Sequence, residues 1–184
     1  MTLQLPKKTF TVEQYYQLAD VGIIGPDDKV ELLEGEIFEM SPINSRHSGT
    51  VTLIVQKLYS VFSDKVTIAS QNPIRLNNNS EPEPDIYIAK KGLYISAHPT
   101  PKDLFLIIEV SDSSLEKDQL VKADLYAKAG IPEYWIVDLQ NNQLEIYREP
   151  KLNGYQFKRI ISESNDVKCE AIEFTLRFED FFPE

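Results

Sequence analysis

Residues 104–110 have the sequence Leu-Phe-Leu-Ile-Ile-Glu-Val and contain the longest uninterrupted apolar run of the chain. A continuous apolar run of this length, unlike an alternating one, is typical of a β-strand whose two faces are both covered. Covering both faces requires helices on either side of the sheet. This segment therefore predicts a buried strand in an α/β fold.

Glu109 is the one charged residue in this apolar segment. An ionised carboxylate that has lost its water needs a cation or several hydrogen-bond donors, because desolvation is costly. On a strand, Glu109 shares a face with Phe105 and Ile107. Two interpretations stay open here: Glu109 is a functional residue that binds a cation, or it forms a salt bridge at the exposed end of the strand.

The segment after this strand has the pattern of a helix with a defined beginning and end. Residues 113–116, Ser-Ser-Leu-Glu, match a capping box with Ser113 as the N-cap. Gly130, followed by Pro132, predicts the end of the helix. Lys122 lies at the border of the apolar stripe, so its ammonium group reaches either the sheet or the solvent. The stripe consists of Val121, Leu125 and Ala129.

Shorter patterns on both sides complete the predicted elements. Helices are predicted at residues 12–18, 47–62 and 176–182. Strands are predicted at residues 66–69, 74–76, 85–89, 133–138, 143–147 and 155–161, with a hairpin at 29–40. Together they predict an α/β fold with a central mixed β-sheet flanked by helices, an added N-terminal helix and an added β-hairpin.

Composition indicates one globular domain over residues 1–184, since 42% of the residues are apolar and 26% are charged. No apolar segment approaches the roughly 20 residues that span a bilayer, and residues 1–10 lack the apolar core of a signal peptide. Cys169 is the only cysteine, which excludes an internal disulfide and favours a reducing compartment. We therefore expect a cytoplasmic protein with no membrane partner.

Several chemistries are excluded by the residues that the chain lacks. The soft metal ligands Cys169, His47 and His98 are scattered, without the spacing of a zinc site. The seven glycines form neither a dinucleotide-binding fingerprint nor a Walker loop, and no nucleophile elbow is present. Carboxylates are plentiful, with 29 acidic against 19 basic residues and a net charge of −10. Oxygen ligands of this kind suit hard cations such as Mg²⁺.

Asp85 is the second candidate carboxylate, directly after Pro84 at the start of a predicted strand. If that strand lies beside residues 104–110, Asp85 and Glu109 reach one point near the strand ends. Two such oxygen ligands, with water and a carbonyl, would form a magnesium site. The alternative is that Asp85 only caps a turn.

The same region resembles a known protein family. The residues that carry the resemblance are Glu109-Val110-Ser111, Asp118, Lys122, Tyr126, the run Ala-Gly-Ile-Pro-Glu-Tyr-Trp-Ile-Val-Asp at 129–138, the run Val-Glu-Leu-Leu-Glu-Gly-Glu at 30–36, and Pro84-Asp85. This pattern is similar to that of the Uma-two (Uma2) family in the PD-(D/E)XK nuclease superfamily. The resemblance covers about residues 11–147 and implies a restriction-endonuclease-like core.

The resemblance also implies an activity, that of a metal-dependent endonuclease that hydrolyses DNA. Asp85 and Glu109 would bind Mg²⁺ or Mn²⁺, and the backbone carbonyl of Val110 is a candidate for a further metal ligand. Glu31 would be the additional catalytic carboxylate that this superfamily often carries.

The catalytic lysine departs from the superfamily pattern. Ser111 occupies the strand position where the pattern has lysine. In the Uma2 pattern the lysine comes instead from the next helix, as Lys122. There it would assist the attacking water or stabilise charge on the phosphate.

The charge balance argues against a nuclease, because nucleic-acid binders usually have a basic surface, and no basic cluster here is longer than a pair. Two other functions therefore stay open. One is a catalytically degenerate nuclease-fold protein that acts as a binding or regulatory module, and the other is a carboxylate-based hydrolase of a small substrate. Exposed aromatic residues would favour a homodimer, and the candidates are Phe178, Phe181 and Phe182.

Five further side chains have weaker signals. His47 points toward the cleft or serves as a cap or surface residue at the start of its helix. Gln71 and Tyr126 are candidates for contact with a nucleic-acid backbone, with core packing as the alternative for Tyr126. Trp135 is expected in the core, and Cys169 is expected to be unreactive.

Overall fold

A six-stranded mixed sheet forms the centre of the computed structural model, which describes residues 7–62 and 64–182. The strands are β3 Val66–Ser70, β4 Ile86–Lys90, β5 Leu104–Ser111, β6 Glu133–Asp138, β7 Gln143–Lys151 and β8 Gly154–Ile161. They lie side by side in chain order. β5 and β6 are parallel, and every other neighbouring pair is antiparallel. The predicted α/β fold with a mixed sheet is confirmed.

Helices cover both faces of this sheet. The helix α2, Ser45–Phe62, packs on one face, and the crossover between β5 and β6 packs on the other. The crossover consists of α3 Leu115–Lys117, a π-helical segment Asp118–Lys122 and α4 Ala123–Ala129. Within residues 7–62 and 64–182, no helix combines the length and apolarity needed to cross a membrane.

Strand β5 is buried on both faces, as its continuous apolar run predicts. Leu106, Ile108 and Val110 belong to the core against α2, whereas Ile107 belongs to the core against the crossover. Glu109 alternates with Ile108 and so lies on the crossover face. The charged residue of the strand is therefore directed at the helical segment that follows it in the chain.

The predicted N-terminal helix and hairpin are both present, as α1 Val12–Asp20, β1 Val30–Leu33 and β2 Glu36–Glu39. Thr11 and Gln14 form a reciprocal capping box at the start of α1. Gly35 forms the hairpin turn at φ +81°, where an added Cβ would lie 2.5 Å from Cβ of Thr9. The Glu81 N–H donates to the Leu32 carbonyl at 2.8 Å, which holds β1 against the loop leading to β4.

The C-terminal region corrects two predictions. The helix predicted at 176–182 is wrong, because the chain instead forms the strands β9 Asp166–Cys169 and β10 Phe174–Arg177, followed by a short 3₁₀ turn. Leu176 alternates with exposed neighbours, which is the pattern of a strand. Phe181 is fully buried, so it cannot serve as an exposed dimer contact, and a homodimer stays a prediction.

Two interior predictions in this part of the core hold. Trp135 is fully buried, as expected of a core residue. Cys169 is buried as well, and burial raises the pKa of its thiol far above the usual range, which agrees with an unreactive cysteine.

Two local predictions near the cleft are also wrong. Residues 74–76 form no strand, because Ile74 N–H donates to Pro82 at 3.0 Å and Leu76 N–H donates to Ser80 at 3.1 Å within one loop. Their side chains are buried, which explains the apolar pattern. The capping box at Ser113 is absent, since α3 begins at Leu115 and has no side-chain cap.

Candidate active site

A cleft of about 380 Å³ opens between the β1–β2 hairpin, the start of α2 and the first part of the crossover. Carboxylates outnumber ammonium groups along its walls. The acidic residues are Asp28, Glu31, Glu83, Asp85, Glu109, Asp112 and Asp118, and the lysines are Lys29, Lys117 and Lys122. The walls thus contain seven carboxylates and three ammonium groups. The described walls of the cleft therefore carry an excess of negative charge.

Asp85 lies immediately before β4 and meets the end of β5. The antiparallel register pairs Ile86 with Ile108, so the residue before β4 lies beside Glu109 and Val110. The Val110 N–H donates to Asp85 Oδ2 at 2.8 Å, and the Asp85 N–H donates to Glu109 Oε2 at 3.2 Å. The two strands therefore bring both predicted carboxylates together.

Glu109 is 2% exposed and forms its contacts inside the cleft floor. Its Oε1 accepts hydrogen bonds from Lys122 Nζ and from the Tyr126 hydroxyl, each at 2.9 Å. Burial raises the pKa of Glu109 to about 8, with the nearby carboxylates adding to this effect and Lys122 opposing it. A salt bridge at an exposed strand end is therefore excluded.

Lys122 is buried because the crossover contains a π-helical turn. In such a turn the hydrogen bonds join residues five apart, as between Asp118 and Ala123. The predicted apolar stripe is wrong at Val121, which is 37% exposed whereas Lys122 is only 6% exposed, and holds at Leu125, which is buried. The extra residue in the turn directs Lys122 toward the sheet and Glu109.

Asp118 begins the π-helical segment and is held by two serines. The hydroxyl groups of Ser111 and Ser114 donate to its Oδ2 at 2.6 and 2.7 Å. Burial raises the pKa of Asp118 above its usual range. Ser111, which stands where the superfamily pattern has a lysine, thus anchors the segment that supplies Lys122.

Glu31 reaches the same cluster from β1, and its side chain is fully buried. Its Oε1 lies 2.7 Å from Lys117 Nζ, and its Oε2 lies 3.5 Å from Lys122 Nζ. The Glu83 N–H also donates to Oε2 at 3.3 Å. Glu34, nearby in sequence, is exposed and outside the cleft lining. The structure thus brings Glu31, Asp85, Glu109 and Lys122 together around one cleft.

Comparison with known proteins places this fold and site in a family. The family model of Uma2, described as "Putative restriction endonuclease", matches residues 12–179. The chain belongs to the Uma2 family. The match extends beyond the resemblance in the sequence, from α1 to the turn after β10.

A solved structure has the same fold as this Uma2 chain. It is described as a putative nuclease belonging to DUF820 from Anabaena variabilis, with a TM-score of 0.72 and 16% sequence identity. The alignment covers 94% of this chain and 97% of the other. At this identity the likeness establishes the fold, a restriction-endonuclease-like core. No match was found among curated proteins.

For His47 the sequence left open whether the side chain points into the cleft, caps its helix or lies on the surface. It points into the cleft, and its Nε2 lies 3.0 Å from Asp85 Oδ2, whereas Asn44 is the residue that caps the start of α2. The hydrogen bond to Asp85 raises the pKa of His47 above its usual range. The cap and surface alternatives are therefore wrong, and His47 orients the Asp85 carboxylate.

Gln71 and Tyr126 support the site in ways that the sequence did not show. Tyr126 is fully buried, so it cannot contact a nucleic acid, and it binds Glu109 instead. Gln71 has φ +53°, and its N–H lies 3.2 and 3.1 Å from the carbonyls of Pro84 and Asp85. A strained backbone at this point helps to fix the turn that presents Asp85.

Lys117 is one of the cleft residues that the sequence analysis missed. In an ordinary α-helix, residues five apart do not share a face, so nothing linked Lys117 to Lys122. The π-helical hydrogen-bond pattern brings residues five apart to the same side. A mid-helix π turn has no reliable sequence signal, and the burial of Lys122 became visible only in the structure.

Proposed function

We propose that this Uma2 protein is a divalent-metal-dependent nuclease that hydrolyses phosphodiester bonds of DNA in the cleft. One observation supports this most directly. The Asp85 backbone N–H donates to Glu109 Oε2 at 3.2 Å, and Lys122 Nζ donates to Glu109 Oε1 at 2.9 Å. Two acidic groups and one ammonium group around one point are the residue types that metal-assisted phosphodiester hydrolysis uses. The descriptions of the family and of the structural neighbour, both of which name a nuclease, support the same reaction.

The residues present fit a magnesium or manganese ion. Both hydrogen bonds that reach the Asp85 carboxylate from the described residues end on Oδ2, which leaves Oδ1 for a ligand. No group of three His, Cys, Asp or Glu side chains arranged for a metal occurs within 7–62 and 64–182. Mg²⁺ is commonly bound through one or two carboxylates while it keeps several waters. The proposed ligands are therefore Asp85, Glu109 and the carbonyl of Val110.

The charge of the site provides a second argument for the ion. Burial and nearby carboxylates hold the pKa of Glu109 near 8, so its ionised form is unfavourable in the metal-free cleft. A divalent cation would offset this excess of negative charge. When bound, it would polarise a phosphate oxygen and make a water molecule more acidic.

Three side chains of the site have separate proposed roles in the reaction. His47 holds Asp85 through Oδ2, and Tyr126 holds Glu109 through Oε1. Lys122 donates one hydrogen bond to Glu109 and lies 3.5 Å from Glu31, so its ammonium group keeps donors for the attacking water or for charge that grows on the phosphate. Tyr126 and Lys122 are both buried, so they keep bulk water away from the Glu109 side of the site.

Nicking of supercoiled plasmid tests the proposal. Purified wild type, Asp85→Ala and Glu109→Ala would be incubated with Mg²⁺ or Mn²⁺, and again with a chelator. We expect metal-dependent nicking by the wild type and none by the two variants. Asp64→Ala is the matched control, because this aspartate is exposed and outside the cleft lining, so it should nick like the wild type.

Two results would contradict the proposal. Equal nicking by all four proteins would indicate a contaminating nuclease, and nicking that persists with a chelator would exclude the metal-dependent mechanism. A wild type that binds DNA without cutting it under any metal would favour the binding-module alternative.

A further inference from the structure

Two lysines of the cleft share one buried carboxylate, and their surroundings differ. Lys122 Nζ lies between Glu109 Oε1 and Glu31 Oε2, and only 7% of its side chain is exposed. Lys117 Nζ contacts only Glu31 Oε1 among charged groups of the described residues, and 28% of its side chain is exposed. Lys117 is thus the more accessible ammonium group of the pair.

We infer that Lys117 is the residue that binds a substrate phosphate in the cleft, and that Glu31 positions Lys117 and Lys122 instead of binding the metal. This inference rests on the proposed function and assigns roles within the same site. Lys122, enclosed by two carboxylates, cannot leave them without exposing buried charges, which is strongly unfavourable. Lys117 needs no such rearrangement to meet a phosphate.

The geometry of Lys117 suits a preorganised phosphate contact. Lys117 Nζ lies 2.7 Å from Glu31 Oε1, an ion pair without hydrogen-bond geometry, so the three donors of the ammonium group are not used by Glu31. The Nζ lies 5.8 Å from the ring centroid of Phe38, so the ring limits where the side chain can move. Lys117 lines a cleft whose walls are otherwise rich in carboxylates. A lysine held in one place loses less conformational entropy when a phosphate binds.

The Glu31 carboxylate lies beside two ammonium groups. Lys117 Nζ is 2.7 Å from Oε1, an ion pair without hydrogen-bond geometry, whereas Lys122 Nζ and the Glu83 N–H are 3.5 and 3.3 Å from Oε2. A metal ion on Glu31 would lie beside both positive charges, which repel it. Glu31 therefore serves as the shared counter-ion that spaces the two lysines.

Anisotropy of a fluorescent oligonucleotide, single- or double-stranded, tests the inference with Ca²⁺ in place of Mg²⁺. We expect Lys117→Ala to raise the Kd about tenfold. The slope of log K against log salt should fall by about 0.7–0.9, which is the loss of one phosphate contact. Lys117→Arg should keep most of the affinity. Lys128→Ala is the matched control, because Lys128 also pairs with a glutamate but lies outside the cleft lining.

Glu31→Gln separates the positioning role from a metal-ligand role. We expect its Mg²⁺ affinity, measured by calorimetry, to stay within about twofold of the wild type, while the Kd for DNA rises as in Lys117→Ala. A loss of Mg²⁺ affinity of tenfold or more in a folded Glu31→Gln would overturn the assignment of Glu31.

The remaining outcomes distinguish this inference from the proposed function. If the wild type binds DNA and Lys117→Ala binds it with the same Kd and salt slope, the phosphate role of Lys117 is overturned and the proposed function is not. Absence of DNA binding by the wild type would contradict both the inference and the proposed function. Lower stability of Lys117→Ala with unaltered binding would identify Lys117 as a structural counter-ion of Glu31 only.

Discussion

Two buried glutamates on the neighbouring parallel strands β5 and β6 have opposite surroundings. Glu133 is 1% exposed, and its oxygens accept hydrogen bonds from Trp135, Arg148 and the backbone N–H groups of Glu170 and Ala171. Every one of these partners is a donor, so the carboxylate is satisfied without a ligand. Glu133 is therefore a structural residue that ties β6 to β7 and to the end of β9.

Glu109 is equally buried but shares its surroundings with other acids. Burial raises its pKa, Asp85, Asp118 and Glu31 add to this effect, and Lys122 lowers it. The comparison teaches that burial of a carboxylate does not by itself indicate a function. What distinguishes the site residue is a deficit of positive charge that a bound cation would remove.

Activity should separate the two glutamates most strongly. We expect Glu109→Gln to reduce plasmid nicking at least about 10³-fold, or about 4 kcal/mol, because a metal ligand is lost. Glu133→Gln should keep near wild-type activity per folded molecule. Nicking rates normalised to the folded fraction by circular dichroism would check this. Comparable losses in both variants would remove the distinction.

Stability should separate them in the opposite direction. Glu133→Gln places an amide N–H₂ group among donors, so we expect the free energy of unfolding to fall by about 3 kcal/mol in urea titrations. Glu170→Gln, which changes the exposed partner of the same Arg148, is the control and should cost at most about 1 kcal/mol. A stable Glu133→Gln would show that its network is not required for folding.

The pH dependence of stability provides a sharper test of Glu109. Its pKa is raised in the folded protein, so between about pH 4.5 and 8 the folded state binds the extra proton. The contribution of Glu109 to the free energy of unfolding therefore decreases as pH rises through that window, by up to about 1.4 kcal/mol per pH unit. Glu109→Gln has no carboxyl group to titrate here. Its free energy of unfolding should therefore rise relative to that of the wild type from pH 5 to 8, measured in metal-free urea titrations. A constant difference would contradict the raised pKa.

Added Mg²⁺ should produce the smallest effect of the four. At ten times its Kd, an ion that binds only the folded protein raises the free energy of unfolding by about 1.4 kcal/mol. The gain should be larger at pH 8.5 than at pH 6, because a ligand carboxylate must lose its proton. Glu109→Gln should show little gain, and an equal gain in both proteins would place the ion elsewhere.

Much of the fold was predictable, because local hydrophobic patterns decided it. The run at 104–110 indicated a doubly covered strand, and the crossover ended at Gly130 as expected, with φ +79°. Residues 74–76 and 176–182 were predicted wrongly because short apolar patterns do not distinguish a buried loop, a strand and a helix. In each case the tertiary packing of those residues decided the outcome.

The site was predictable where it follows from strand register. Asp85 directly precedes one strand, Glu109 lies two residues before the end of the next, and an antiparallel register brings them together. The roles of Val110 as a metal ligand and of Glu31 and Lys122 in catalysis remain predictions. Lys117 could not be linked to Lys122 from the sequence, because the extra residue in the turn between them changes which residues before and after it share a face.

The amino-acid sequence alone determined the buried strand, the two acids at its edge and the family pattern, since these depend on residue type and short-range periodicity. Only the tertiary structure decided that Lys122 is buried, that Glu31 bridges two lysines and that His47 holds Asp85. Glu31 and Lys117 are far apart in the chain, and their 2.7 Å contact depends on how the hairpin docks. Such contacts form when distant segments exclude water together, and no local pattern encodes that distance.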